Sequence, residues 1–425
     1  MDRLKKNLVY ILVVIILSSI ALYYSSRKNT SKTESIVQEK ISLKVTTNRT
    51  DLVDNKLNDL AKEYMILNPN IQLSFEGIKD PNEILKIRAS VGESSDITII
   101  PTDAKTENLH LYYEPIDDLG FTKDNLRGYF TGVGEDKRLY AVNSSVGYDG
   151  IVYNKKTFLK AGIKSVPRTL DEFYKACEKL KAVGITPFAI NAGDKWPLTV
   201  YAEGFVLPVE NTGRMQYGDD LLTRDLFSDD GGLYYSLKFL ETMKQREFIE
   251  SDLNKPNWSK FKVDQANGSV SMTFTGTWYP SQLLELGCAK ENIGMFPFPE
   301  AKLITQNGDW RFAISKNCKH KEEAKKLLKW LFYEGNYASA CNILSSMKNN
   351  SFNNWILDEL FSYNIPIVSS ENGGTESGST ENLTNALIKF GYPLNDIFKE
   401  YLTSNNPDKV IKRYNDLWRK KVVNQ

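Results

Sequence analysis

Arg138-Leu-Tyr-Ala-Val-Asn-Ser-Ser-Val-Gly-Tyr-Asp-Gly-Ile-Val-Tyr-Asn-Lys155 opens the stretch that decides the fold, and Asn191-Ala-Gly-Asp-Lys-Trp-Pro197 closes it. An extended polar segment passes into an apolar β-run from Gly150 to Asn154, and a short helix carrying Phe158, Leu159 and Ala161 stops at Gly162. Thr169-Leu-Asp-Glu172 then spells a capping box, in which each side chain satisfies a free backbone donor at a helix start. Behind it Leu170, Phe173, Ala176, Cys177 and Leu180 recur at helical spacing, and Gly184 is the residue that ends the helix. The chain extends again from Ile185 to Ile190 before the loop with Asp194, Lys195 and Trp196. A strand-helix-strand unit that delivers polar and aromatic residues beyond its last strand is placing a ligand surface, since open α/β sheets bind ligands outside their strand ends.

Outward from this stretch, the N-terminal side repeats the pattern. Ile41 to Thr47 reads as a strand, Asp51 to Tyr64 as a helix with Leu52, Leu57, Leu60, Ala61 and Tyr64 on one face, and Ile71 to Phe75 as a strand. A helix from Pro81 to Ser90 and a strand from Asp96 to Ile100 follow, which implies a parallel sheet with right-handed crossovers. On the C-terminal side, Gly232 to Gln245 reads as a helix, Val270 to Phe274 as a strand, Ile293 to Phe298 and Trp310 to Ser315 as two more, and Glu322 to Tyr333 as an amphipathic helix. Ser370 to Thr380 is a Gly/Ser/Thr-rich loop, and Leu383 to Trp418 reads as helix.

At 425 residues the chain is too long for one ordinary domain. A formal net charge of +1 without clustered Lys and Arg argues against a nucleic-acid partner, which would need such clusters to displace counterions. His110 and His320 stand in no zinc spacing, and neither a nucleophile elbow nor a phosphate loop occurs, so metal sites, cofactors and catalysis are not expected. Cys177 lies on the apolar face of its helix, and a Cys318–Cys341 disulfide is compatible with an oxidising compartment, though the sequence does not fix the pairing. Arg3, Lys5 and Lys6 precede an apolar run from Leu8 to Tyr24, a signal or anchor segment that places the body outside the cytoplasm. Residues 1–24 are thus expected as an uncleaved anchor, or a leader if cleaved, and 25–40 as a polar tether. The first cysteine is Cys177, so no lipid-bearing cysteine follows the apolar run.

The phrases Leu139-Tyr-Ala141, Gly147-Tyr-Asp-Gly-Ile-Val-Tyr-Asn-Lys155, Ala161-Gly-Ile163, Pro167-Arg-Thr-Leu-Asp-Glu-Phe173 and Lys179-Leu-Lys-Ala-Val-Gly-Ile-Thr-Pro187 resemble, nearly residue for residue, the extracellular solute-binding proteins of ABC importers. The resemblance is to the family 1 group that takes maltose-like sugars and oligosaccharides, and Gly276-Thr-Trp278, Ile293-Gly-Met-Phe-Pro-Phe-Pro299 and Ala313-Ile-Ser-Lys316 extend it. It implies a two-lobed α/β fold of the type II periplasmic-binding-protein kind, with hinge crossings near Ser145–Tyr148, Asp309–Phe312 and Pro366–Glu371. Lobe 1 would comprise 41–147 plus 311–367, and lobe 2 would comprise 148–310 plus 368–425. The implied function is capture of a sugar or oligosaccharide between the lobes and its delivery to the transmembrane subunits of an ABC permease, by a monomer. Two alternatives remain: a tethered sugar sensor for a histidine kinase, and the same fold binding a non-sugar solute.

Sugars offer C–H faces that pack on aromatic rings and hydroxyl rims that take planar carboxylates, amides and guanidinium groups. Trp278 sits at a strand exit and matches a sugar-stacking tryptophan of the resembled family; the competing reading is a ring tucked under its own loop. Trp196, with Asp194 and Lys195, occupies another strand exit, against a plain turn anchored by Pro197. Tyr148 and Asp149 at the first crossing, and Asp309, Trp310 and Arg311 at the second, are cleft candidates or hinge residues held by local hydrogen bonds. Asn48, Arg49 and Asp103 follow the first and third strands and complete the set. Some maltodextrin-binding relatives carry tryptophan after that third strand, where this chain has Ile100-Pro101, which points away from a long α-glucan.

Overall fold

A computed structural model describes residues 14–23, 40–102, 104–204, 222–350, 355–369, 386–387 and 389–423. Its strands, in chain order, are β1 (Ile41–Thr47), β2 (Ile71–Gly77), β3 (Ile97–Ile99), β4 (Tyr113–Glu114), β5 (Ala141–Asn143), β6 (Val146–Asn154), β7 (Thr186–Phe188), β8 (Val270–Gly276), β9 (Ile293–Phe296), β10 (Ile304–Gly308), β11 (Arg311–Ser315) and β12 (Ile367–Ser369). They form two 6-stranded sheets. The first runs β2-β1-β3-β11-β4 with β5 on β11, and the second runs β12-β10-β6-β8-β7 with β9 on β6.

The first sheet starts as the sequence reads. β1 pairs parallel with β2 and β3, and the helix Lys56–Leu67 buries Leu57, Leu60, Ala61 and Tyr64 against it. β11 returns antiparallel to β3, β4 and β5, so the sheet is mixed rather than parallel. The second sheet departs further. β6 is antiparallel to β8, β9 and β10, and parallel pairing is confined to β7–β8 and β10–β12. Around β6 the helix Leu170–Ala182 packs Phe173, Ala176, Cys177 and Leu180 inward. Its Thr169 hydroxyl caps the Glu172 N–H at 3.2 Å, and the Glu172 carboxylate accepts from Arg168 N at 2.8 Å.

Two segments carry the chain between the sheets side by side. Ser144 N donates to Trp310 O (2.8 Å) and Asp309 N donates to Ser145 O (3.0 Å), so the link from β5 to β6 and the link from β10 to β11 brace each other. At the described end of the third expected crossing, Pro366–Glu371, Ile367–Ser369 pairs with β10 in the second sheet. Helix Trp355–Phe361, expected with lobe 1, packs Ile356 and Leu360 in one cluster with Val146, Tyr148 and Ile304 of the second sheet. Its short apolar face, two buried residues in seven, carries too little periodicity to show which sheet it covers.

The helix read from Leu383 to Trp418 is, among described residues, two helices, Leu394–Thr403 and Pro407–Trp418, because Pro407 cannot continue one and caps naturally start another. Helix Trp258–Asn267 and strand β10 were not read from the sequence, and both shape the site. All four cysteines are free thiols. Cys318 Sγ donates to Asp96 Oδ1 at 3.2 Å, so the Cys318–Cys341 pairing is not formed. Residues 14–23 form an exposed helical piece, while 1–13 and 24 of the expected anchor, 25–39 of the expected tether and the Ser370–Thr380 loop lie outside the described residues. Among the described residues no helix is long and apolar enough to cross a membrane.

Candidate ligand cleft

Three indole rings meet at the seam between the lobes. Trp278 follows β8, Trp196 starts the short helix after β7, and Trp258 starts the helix Trp258–Asn267. Ring centroids lie 4.7 Å apart for Trp196–Trp258, 6.1 Å for Trp196–Trp278 and 6.0 Å for Trp258–Trp278. All three are half-buried, and Trp278 packs against the cores of both sheets. Gly276 is what lets that ring fold back on its strand, since a Cβ there would stand 2.5 Å from Trp278 Nε1. Behind the rings, Tyr279 lies parallel to Phe261 with centroids 5.8 Å apart, a packed backing that fixes the platform.

The polar residues beside Trp196 hold the loop in place. The Asp194 carboxylate accepts from Asn257 N (2.6 Å) and Trp258 N (2.8 Å), which caps the helix that carries Trp258. Gly193 permits this approach: a side chain there would collide with Lys255 O, 1.9 Å from its Cβ. Lys195 pairs with Asp396 at 2.8 Å within the second lobe. Behind the same loop, Glu250 accepts from Ile190 N (3.0 Å) and Ala192 N (3.1 Å); burial pushes its carboxyl up, against the pull of those N–H groups. Asp194 therefore serves the geometry of Trp258.

At the first crossing, Tyr148 is buried edge-on to Phe361 (5.0 Å), a core position rather than a cleft one, because β6 directs it into the cluster beneath helix Trp355–Phe361. Asp149 accepts from Asn307 Nδ2 at 2.6 Å across the β6–β10 ladder. At the second crossing, Asp309 accepts from Ser145 Oγ at 3.2 Å, and burial raises its carboxyl above the ordinary aspartate value, with the Trp310 N–H and Ser145 opposing. Trp310 packs against the first-sheet core. Arg311 is a staple: Nη1 donates to Thr131 O (3.0 Å), and Nη2 donates to Pro101 O and Ala104 O (3.2 Å each). Asp103 lies outside the described residues.

On the first lobe, Asn48 is half-buried and its side chain makes no hydrogen bond among the described residues. Arg49 forks onto Asp51, Nε to Oδ1 at 3.0 Å and Nη2 to Oδ2 at 2.9 Å, and its Nη2 stands 3.9 Å from Glu285 Oε2 of the second lobe. Burial works against the Arg49 charge, but the Asp51 bonds outweigh it and the guanidinium stays firmly protonated. Burial depresses Lys262, which donates to Gln282 Oε1 at 3.0 Å, and lifts the Glu285 carboxyl.

Asp51, Trp258, Lys262 and Glu285 were not singled out from the sequence. Trp258 had a signal, Asn257-Trp258 after Lys255-Pro256, in the style of a helix start. The charged trio had none: Lys262 and Glu285 lie on packed second-lobe helices, and Asp51 joins them only where the first lobe meets the second. A separate charged hollow lined by Lys44, Glu76, Arg88 and Asp96 is neutralised internally by the Arg88–Glu76 fork (2.6 and 3.1 Å).

Two sheets linked by braced crossing strands, with aromatic rings at the seam, define a hinged two-lobed α/β binding protein. The chain belongs to the bacterial extracellular solute-binding protein family, whose profile matches residues 50–338. It is 27% identical over 317 residues to the multiple sugar-binding protein of Streptococcus mutans, covering 71% of this chain and 74% of that one. In fold it is similar to a binding protein of an ABC transporter from Bifidobacterium animalis subsp. lactis in complex with mannobiose (TM-score 0.77, 20% identity, 91% of this chain and 95% of that chain). It is also similar to the solute-binding protein RafE, with a TM-score of 0.70 for the raffinose complex and 0.61 for the apo form from Streptococcus pneumoniae. Identity is 18% in both, over 90% of this chain and 100% and 98% of those chains.

Proposed function

We propose that this protein captures a sugar or short oligosaccharide between its lobes and delivers it to the transmembrane subunits of an ABC permease. The observation that carries this reading is the convergence of Trp196, Trp258 and Trp278 at the seam, a set of ring faces suited to the C–H faces of pyranoses. The relatives support it: one is a multiple sugar-binding protein, and the fold neighbours hold mannobiose and raffinose. Trp278, Trp196 and Trp258 supply the stacking surface. Asn48 and Arg49 supply hydrogen bonds from the first lobe, Asp149 and Asp309 line the floor, and Tyr148, Asp194, Lys195 and Arg311 hold those groups in position. Closure is favoured by ligand because both lobes touch it only in the closed form.

The lobes divide at the braced crossings Ser144–Ser145 and Asp309–Trp310, with the return to the second lobe before Trp355. The basic and apolar N-terminal segment anchors a monomer on the outer face of the membrane when it is retained. A panel of mono- to tetrasaccharides, read by tryptophan fluorescence and melting temperature, tests the reading. A bound sugar at one hundred times its Kd adds about 2.7 kcal/mol of stability. A panel without any response sinks it, and co-purification of permease subunits tests delivery.

A further inference from the structure

We infer that Arg49 and Glu285 are a specificity-determining pair that grips hydroxyls of the bound sugar from opposite lobes. The inference rests on the carbohydrate reading above. Glu285 ends the helix Pro280–Glu285, whose chain enters through Trp278, and Arg49 stands two residues beyond the end of β1. The pair therefore joins the first-lobe wall to the segment that bears a stacking ring.

Its geometry is incomplete in a particular way. Arg49 Nη2 and Glu285 Oε2 are 3.9 Å apart, too far for a hydrogen bond; the Arg49 side chain is largely withdrawn from water (11% exposed), and that of Glu285 is about a third exposed (32%). The fork of Arg49 spends Nε and Nη2 on Asp51, and Nη1 makes no hydrogen bond among the described residues. The Glu285 carboxylate likewise accepts no hydrogen bond among them. Such a carboxylate, partly open to solvent and without a donor from the protein, is free to take a ligand hydroxyl; the charges facing it are Arg49, Lys56 and Lys262 in its favour and Asp51 against.

A sugar hydroxyl is donor and acceptor at once. Its oxygen, about 2.8 Å from each partner, accepts from the guanidinium and donates to the carboxylate, completing both with only a small widening of the gap. A planar carboxylate takes two neighbouring hydroxyls as readily as one, so the pair reads a ring with free vicinal hydroxyls. Each half lies on a different lobe, and so the same hydroxyls that are recognised also draw the lobes together. A sugar lacking them leaves the pair unbridged, and this difference is the source of discrimination.

Glu285→Gln tests this in the full chain, with mannobiose and raffinose as probes and the deoxy analogues of whichever binds. Wild type is expected to lose about tenfold or more in affinity for the analogue that lacks the gripped hydroxyl. In Glu285→Gln the parent sugar weakens by a similar factor and the analogue hardly at all, so discrimination collapses. Glu285→Asp, which keeps the charge but shortens its reach, falls between. Circular dichroism and an unchanged melting temperature without ligand confirm folding of both variants. An equal weakening for parent and analogue makes the pair an inter-lobe latch only and overturns the inference, as does unchanged affinity for both. A wild type that binds no sugar in the wider panel overturns the carbohydrate reading and this inference with it, whereas sugar binding with intact discrimination in Glu285→Gln overturns this inference alone.

Discussion

The two walls of the cleft are built in opposite ways. The second-lobe wall is aromatic, and the two carboxylates behind its tryptophan loop are spent on scaffold: Asp194 caps the Trp258 helix and Glu250 holds the strand exit that leads to Trp196. The first-lobe wall is polar, and its guanidinium groups are partly spent, Arg49 on Asp51 and Arg311 on three carbonyls. Ring faces recognise many sugars at similar strength, whereas forks and carboxylates choose among hydroxyl patterns. On the proposed reading, affinity comes from the aromatic wall of the second lobe, while selectivity is shared between Arg49 of the first lobe and Glu285 of the second.

The sharpest way to break this division is Trp278→Ala. A central stacking ring of a binding site contributes about 2 kcal/mol or more, so sugar affinity by calorimetry should fall at least about thirtyfold, equally for parent sugars and deoxy analogues. A loss within threefold, or one confined to a single analogue, means the aromatic wall does not carry affinity. The ring also touches both cores, so the variant should melt lower.

Arg311→Lys probes the polar wall as scaffold. A lysine ammonium cannot span Thr131, Pro101 and Ala104 as a planar fork does, and two or more part-buried carbonyls lose their donors, at a cost of about 1–3 kcal/mol in chemical denaturation. Sugar affinity measured well below the melting temperature should change less than twofold. A large affinity change with unchanged stability would return Arg311 to the ligand.

Asp194→Ala tests the other scaffold. Loss of an N-cap costs about 1 kcal/mol of stability. Because the cap holds Trp258 beside Trp196, affinity should also drop modestly, and Asp194→Asn, which keeps an acceptor, should recover most of both. Unequal recovery, stability restored but affinity not, would mean that the carboxylate touches the sugar.

How much of this was legible follows from where the signals lie. The capping box at Thr169, the β-run into Asn154 and the periodic faces of Lys56–Leu67 and Leu170–Ala182 are local, so they read correctly. The mixed and largely antiparallel pairing did not, because it is set by β11 and β10 returning from far along the chain to pair with β3, β5 and β6. At the site, Trp278 and Trp196 announce themselves at strand exits. Asp194, Tyr148 and Arg311 have the residue types of ligands, but their partners are backbone groups and core rings that only the fold brings near. Glu285 and Lys262 sit on short helices without a clear apolar face, and Arg49 comes near Glu285 only across the seam.

The smallest expected effect belongs to the hinge between the walls. Burial holds the Asp309 carboxyl above the value an aspartate has in the unfolded chain, about 3.9. In the interval between the two values the folded state binds more protons than the unfolded one. Stability from this group is therefore present in full below the unfolded value, declines as pH rises through the raised folded value, and is level beyond it. Asp309→Asn removes the titration while leaving an acceptor for Ser145, so the difference in melting temperature between variant and wild type should shift in favour of the variant on going from pH 4 to pH 7. Any slope that survives in the variant belongs to the remaining shifted carboxyls, Glu250 and Glu285, which burial also lifts, among them. A difference that does not move with pH would mean that the hinge carboxyl is already well solvated, and that the seam between the two walls is wetter than their packing implies.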